Sequence, residues 1–137
     1  MLLPWYPRPR LRLPLTGMRI ETEIISVDEG REALKSGSPF LTAEEIEPHR
    51  HRADAPQRLA ARIAAKRAVA RALGLENDFS CWPLIAIDNL PSGQPMVQLQ
   101  GSLAKLTISP AKLLLSLSHC PTHAVALVVL ERVGRQG

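Results

Sequence analysis

Aromatic residues are scarce in this chain, which has two Trp, two Phe and one Tyr among 137 residues. Proteins that grip single-stranded nucleic acid stack bases on such rings, so the scarcity argues against that function. Cysteine is scarcer still. Cys81 and Cys120 are far apart and match no metal-ligand spacing, which implies reduced thiols in a cytoplasmic setting, used as small packing residues. No apolar run is long enough to cross a bilayer. A secretory core is missing too, because Pro4, Pro7, Pro9 and Pro14 are interleaved with Arg8, Arg10 and Arg12. No internal repeat is visible.

The remaining composition is globular, 45% hydrophobic and 22% charged, and the length suits one domain that buries a core without staples. We expect a flexible Pro/Arg-rich leader over residues 1–17, one domain over 18–132 and a short tail over 133–137. The net charge of +4 favours acidic partners: nucleic acid, a phosphate-bearing cofactor or an acidic protein. Within the domain, Ile20 to Val27 reads as a first strand with Glu21 and Glu23 on one face. Asp28 to Lys35 reads as a short helix stopped by Ser36, Gly37, Ser38 and Pro39. Thr42 stands as a helix N-cap before Glu44 and Glu45. His49, Arg50, His51 and Arg52 read as a solvated turn, since fixed cations repel a metal ion.

The best-marked helix runs from Asp54 to Gly74. Asp54 is placed to cap it with Gln57 three residues on, Pro56 fits the first turn, and Gly74 supplies a left-handed stop. Ala60, Ala64, Ala68 and Ala72 recur every four residues and make a smooth face for close packing. Arg58, Arg62 and Lys66 share the same spacing, and Arg67 and Arg71 lie one turn apart. These cations fit either a solvated surface or a cleft that holds an anion. Leu84 to Asp88 and Met96 to Leu99 form a hairpin around Pro91 to Pro95, and Leu113 to His119 with Ala124 to Leu130 form a second, with His119 at its turn. In the second hairpin Ser116 and Ser118 share one face and Leu115 and Leu117 the other. The architecture is therefore α+β, an antiparallel sheet packed against a long Ala-rich helix.

Four segments in order resemble the holo-acyl-carrier-protein synthases of the 4'-phosphopantetheinyl transferase superfamily. MRIETEIISVD (18–28) is similar to their opening strand, RLAARIAAKRAVARALG (58–74) to their central helix with its Phe-Ala-Ala-Lys-Glu-Ala core, SGQP (92–95) to their Gly-x-Pro hairpin, and LSLSH (115–119) to their Val-Ser-Leu-Ser-His strand. The resemblance implies that fold and its reaction, transfer of the 4'-phosphopantetheine arm of coenzyme A to a serine of an acyl carrier protein. It also implies a homotrimer with sites between subunits, and a Mg²⁺ ion held by the strand Asp and the helix Glu. By the same resemblance coenzyme A is bound by Arg62, Lys66, Gly93, Pro95, Ser116, Ser118 and His119.

The metal positions depart from the pattern. Glu23 stands in the strand-Asp position as the one candidate metal ligand. Arg67 stands at the catalytic position of the helix Glu and Arg71 at that of the Lys one turn later. The Gly-Thr-Gly segment after the helix is replaced by Leu75, Glu76, Asn77 and Asp78, and the stretch before the central helix, where relatives dock the carrier, is short. Arginine stays protonated, so neither Arg67 nor Arg71 serves as a base. Two functions follow: a transferase in which Arg67 and Arg71 clamp the pyrophosphate, or a non-catalytic relative that binds coenzyme A, a nucleotide or a partner protein. In the first, Glu23 alone or with a water shell binds the metal; in the second, Glu23 and Arg67 form an internal ion pair, and pairing of these two side chains is expected to leave the native protein little affinity for Mg²⁺.

Overall fold

A computed structural model describes residues 17–107 and 111–132; residues 1–16, which carry the expected leader, and the tail 133–137 lie outside the described residues. Strand β1 (Gly17–Ser26) leads into α1 (Asp28–Ser36), the one-turn α2 (Ala43–Ile46) and the central helix α3 (Ala55–Ala72). The hairpin β2 (Ile85–Asn89) and β3 (Pro95–Leu99) follows, and then β4 (Ala111–His119) and β5 (His123–Arg132). Short 3-10 turns cover Glu47–His49, Phe79–Leu84 and Gly101–Thr107.

The strands divide into two antiparallel sheets, β1-β5-β4 and β2-β3, rather than one continuous sheet. The 3-10 turn at Gly101–Thr107 separates β3 from β4 along the chain. Helix α3 packs against β5 and β1 on one side and α1 on another, with β2 and β4 also in contact. Ala60, Ala64, Ala68 and Ala72 are all fully buried, as the four-residue repeat requires, and Leu59, Ile63 and Leu73 fill the space beside them. Each of these three large side chains contributes about 1.5–3 kcal/mol by leaving water.

The ends of α3 show one agreement and one difference. Gly74 takes the expected left-handed conformation at φ 75°, and Leu75 N donates back to Ala70 O at 2.7 Å, closing the helix. Asp54, by contrast, makes no side-chain cap bond. Its carboxylate is drawn away by Arg58 at 2.9 Å and Arg52 at 3.3 Å, charge-assisted partners that outcompete a neutral backbone N–H. Thr42 does cap α2, in a reciprocal box with Glu45. Helices α1 and α3 meet at Gly30, where a Cβ would sit 1.9 Å from Pro56 O; only glycine allows this approach.

The register β1-β5-β4 brings Ile20, Val129 and Leu114 into one row, and Ile24, Val125 and Ser118 into another. These rows lie on the sheet face turned away from α3, where Met18, Ile20 and Ile24 are 57–66% exposed. The inner face carries Glu21 and Glu23 toward the helix. No helix among the described residues is long and apolar enough to cross a membrane.

Candidate functional site

Strand alternation puts Glu21 and Glu23 on the same side of β1 as α3, where they are less than one-fifth exposed. Arg71 spans the gap. It donates Nη2 to Glu23 Oε1 at 2.5 Å and Nη1 to the carbonyl of Thr22 at 3.0 Å. The bond to Glu23 holds the Arg71 guanidinium above its ordinary pKa. One turn earlier on the helix, Arg67 points its fork at Glu29 of α1, at 2.8 and 3.1 Å, and its Cζ lies 4.7 Å above the ring of Phe40.

The expected pair of Glu23 with Arg67 is therefore only partly formed. Arg67 Nη1 reaches Glu23 Oε2 at 3.8 Å, but the close partner of Glu23 is Arg71 and that of Arg67 is Glu29. The reason is geometric, because Glu29 accepts both prongs of the guanidinium, which one oxygen of Glu23 cannot do. Beside this network lies a cavity of about 250 Å³ lined by Phe40, Arg67, Arg71, Glu76 and Trp82.

These residues do not fit a divalent cation. Both oxygens of Glu23 face guanidiniums, and no group of three or more His, Cys, Asp or Glu among the described residues is arranged to hold a metal. A divalent ion about 4 Å from one guanidinium is repelled by about 8 kcal/mol at an effective dielectric of 20.

A second cluster lies further up α3. Arg62 is buried and donates to Asn89 Oδ1 at 2.5 Å, and Asn89 Nδ2 in turn donates to Gly93 O at 2.9 Å. The hairpin turn, with Gly93 at φ 91° and open space where its Cβ would be, is thus tied to the central helix. Burial lowers the pKa of Arg62. A cavity of about 430 Å³ opens here, lined among others by Thr42, Glu45, His49, Arg62 and Asn89. His49 differs from its neighbours Arg50, His51 and Arg52, which are exposed as the solvated-turn reading requires; it is half-buried, and burial together with Arg62 and Arg58 depresses its pKa.

Lys66 is fully buried, with Nζ 2.5 Å from Glu45 Oε1 and 3.3 Å from Trp82 O. Burial lowers its pKa, with the Glu45 carboxylate acting in the opposite direction. Of the cations on α3, then, Lys66 faces the interior, Arg62 the hairpin, and Arg67 and Arg71 the carboxylates of β1 and α1. Ser116 and Ser118 are exposed on β4, and His119 ends that strand opposite Ala124. Among the described residues, no hydrogen bond or ion pair joins these three to either cluster. Sequence reasoning missed Glu29, Glu45, Phe40 and Trp82. A capping box at Thr42 was the only signal for Glu45, and nothing local marked the others.

Comparison with known proteins gives a consistent result. A holo-[acyl-carrier-protein] synthase of Trichlorobacter lovleyi is 41% identical over 125 residues, covering 85% of this chain and 98% of that protein. One from Desulforudis audaxviator is 38% identical over 117 residues, covering 80% and 89%. Among solved structures, the Neisseria meningitidis holo-[acyl-carrier-protein] synthase superposes with a TM-score of 0.67 at 29% identity, over 82% of this chain and 97% of that one. The Bacillus anthracis holo-(acyl-carrier-protein) synthase, solved in complex with CoA (3',5'-ADP), gives 0.67 at 26% identity over 83% and 96%. No protein-family model matches the chain.

Proposed function

The chain belongs to the holo-acyl-carrier-protein synthase family, and on that footing we propose that it moves the 4'-phosphopantetheine arm of coenzyme A to a serine of an acyl carrier protein. The observation that carries this reading is near-complete coverage of a curated synthase at 41% identity, joined to a fold match over the same span. In phosphoryl transfer the protein supplies position and charge rather than covalent chemistry. Arg67 and Arg71 supply fixed positive charge beside the 250 Å³ cavity. Being permanently protonated, they hold phosphate oxygens and leave the serine proton to another acceptor.

The coenzyme A contacts we assign are Arg62, Gly93 and Pro95 at the hairpin, with Ser116, Ser118 and His119 at the end of β4. Lys66 supports them indirectly, because its ammonium is engaged by Glu45 and Trp82 and ties α2 to α3. Among the described residues the β4 group makes no bond to the α3 clusters within one chain, which supports a homotrimer that completes each site between subunits. The exposed apolar sheet face of Met18, Ile20, Ile24, Leu114 and Leu127 supports the same assembly. We place the protein in the cytoplasm, in keeping with its two free cysteines.

The test is incubation with coenzyme A and an apo carrier protein, with and without Mg²⁺, followed by mass spectrometry. The carrier gains the phosphopantetheine mass if the reading holds. Unmodified carrier in every condition, across several carriers, would favour the non-catalytic alternative that the Arg67 replacement raises.

A further inference from the structure

The network around Arg67 gives the replacement a specific form. Arg19, Arg67 and Arg71 are paired with Glu21, Glu23 and Glu29, so the charges of the cluster cancel. One divalent ion between two carboxylates has the same sum. The three carboxylates differ in exposure, because Glu21 and Glu23 are 18% and 17% exposed while Glu29 is 37% exposed. Glu23 also anchors Arg71, which is held a second time by the Thr22 carbonyl. Glu29 is therefore the carboxylate most readily exchanged, and it sits on the fork of Arg67 in the bidentate arrangement that a phosphate also adopts. The flat face of that guanidinium is fixed by Phe40, which itself packs on Trp82 at a centroid distance of 4.2 Å. Both rings line the adjoining cavity.

Resting on the transferase reading, we propose that Arg67 has taken the place of a divalent cation and that Glu29 occupies its fork until a phosphate of coenzyme A displaces it. Glu29 is then an internal competitor of the substrate. Removing its charge frees the fork, whereas removing the charge of Arg67 removes the seat. Glu76, at the edge of the same cavity, opposes an anion there, so the seat depends on the positive charge of Arg67 and Arg71.

The test is calorimetric titration of coenzyme A into the whole protein in EDTA and in Mg²⁺, for wild type, Glu29→Gln and Arg67→Gln. Wild-type affinity is expected to be the same in both buffers, Glu29→Gln to bind several-fold tighter, and Arg67→Gln to bind weaker by about tenfold or more. A fall in wild-type affinity on adding EDTA, or a Glu29→Gln variant that binds no tighter, overturns the proposal. Mn²⁺ titration followed by its paramagnetic signal reads the metal separately. Wild type is expected to leave the signal free and Arg67→Glu to quench it; tight Mn²⁺ binding by the wild type overturns the replacement. If the wild type takes no coenzyme A in either buffer, the transferase reading fails, while the Mn²⁺ result still decides whether Arg67 excludes metal.

Discussion

Replacing Lys66 with methionine would remove the cation from a pair whose lysine is fully buried and whose carboxylate is 12% exposed. Its Nζ is fully buried, 2.5 Å from Glu45 Oε1 and 3.3 Å from Trp82 O. Among the described residues the orphaned carboxylate keeps one donor, the Thr42 N–H at 3.0 Å, and Glu45 Oε2 is buried with no hydrogen-bond partner. Breaking a buried pair from one side costs about 3–5 kcal/mol, and the surviving Thr42 bond puts this case near the lower end. For a chain of this length that is a fall in melting temperature of about 12 °C. The double variant Lys66→Met with Glu45→Gln removes both charges and keeps an acceptor for Thr42, so it should recover to within about 1.5 kcal/mol of wild type. Urea titration and thermal melts followed by circular dichroism measure all three proteins. A cost below about 1 kcal/mol for Lys66→Met would mean the pair behaves like a surface pair, and the reasoning would be wrong. Equal instability of the double variant would refute it as well. The stable double variant also tests the lysine as a ligand, since unchanged coenzyme A affinity there shows that Lys66 does not touch the substrate.

His119→Ala should weaken coenzyme A binding by about 1–3 kcal/mol in calorimetry, as loss of a charge-assisted bond does; unchanged affinity removes His119 from the site. Gly30→Ala places a Cβ 1.9 Å from Pro56 O and 2.9 Å from Ala60 N, both backbone, so α1 and α3 must part at a cost of about 3 kcal/mol or more, read from denaturant midpoints. A near-neutral result would mean the two helices are less closely packed. Sedimentation should show a trimer for wild type and smaller species for Ile24→Glu, whose residue is 66% exposed on the outer sheet face; a monomeric wild type argues against the assembly. Burial and the cations of Arg62, Arg58 and Arg52 depress His49, with Asp54 opposing, so the unfolded chain binds a proton that the folded chain refuses as pH falls below 6.5. Stability should decline through that range, and His49→Asn should flatten the decline in melts taken across it.

Much of the fold was legible because its signals are local. Gly74 and the alanine repeat marked the central helix, turn residues marked the first hairpin, and alternation with an apolar run marked the second and put Ser116 and Ser118 opposite Leu115. The site was legible only to the nearest helical turn. Arg67 and Arg71 are four residues apart on one face of α3, and sequence could not decide which would take Glu23. That choice rests on Glu29, which comes from α1 and competes for Arg67. Asp54 shows the same limit at shorter range, since a capping residue beside two arginines has better partners than the backbone. The Lys66 pair joins residues 21 apart, a contact that only the packing of α2 on α3 creates.

The alanine face of α3 has a consequence for how this protein tolerates change. A core floored by Leu or Phe is damaged mainly by truncation, which leaves voids. Here Ala60, Ala64, Ala68 and Ala72 are already nearly the smallest side chains available, all with 0% exposure. Little can be hollowed out of such an interior, but any added methylene pushes on backbone or neighbouring side chains at once. Mutational damage along this face is therefore one-sided. Drift can enlarge these positions only at a cost, and the spacing between the central helix and its neighbours, which sets where Arg62, Arg67 and Arg71 emerge, is held by the absence of side chains more than by their presence.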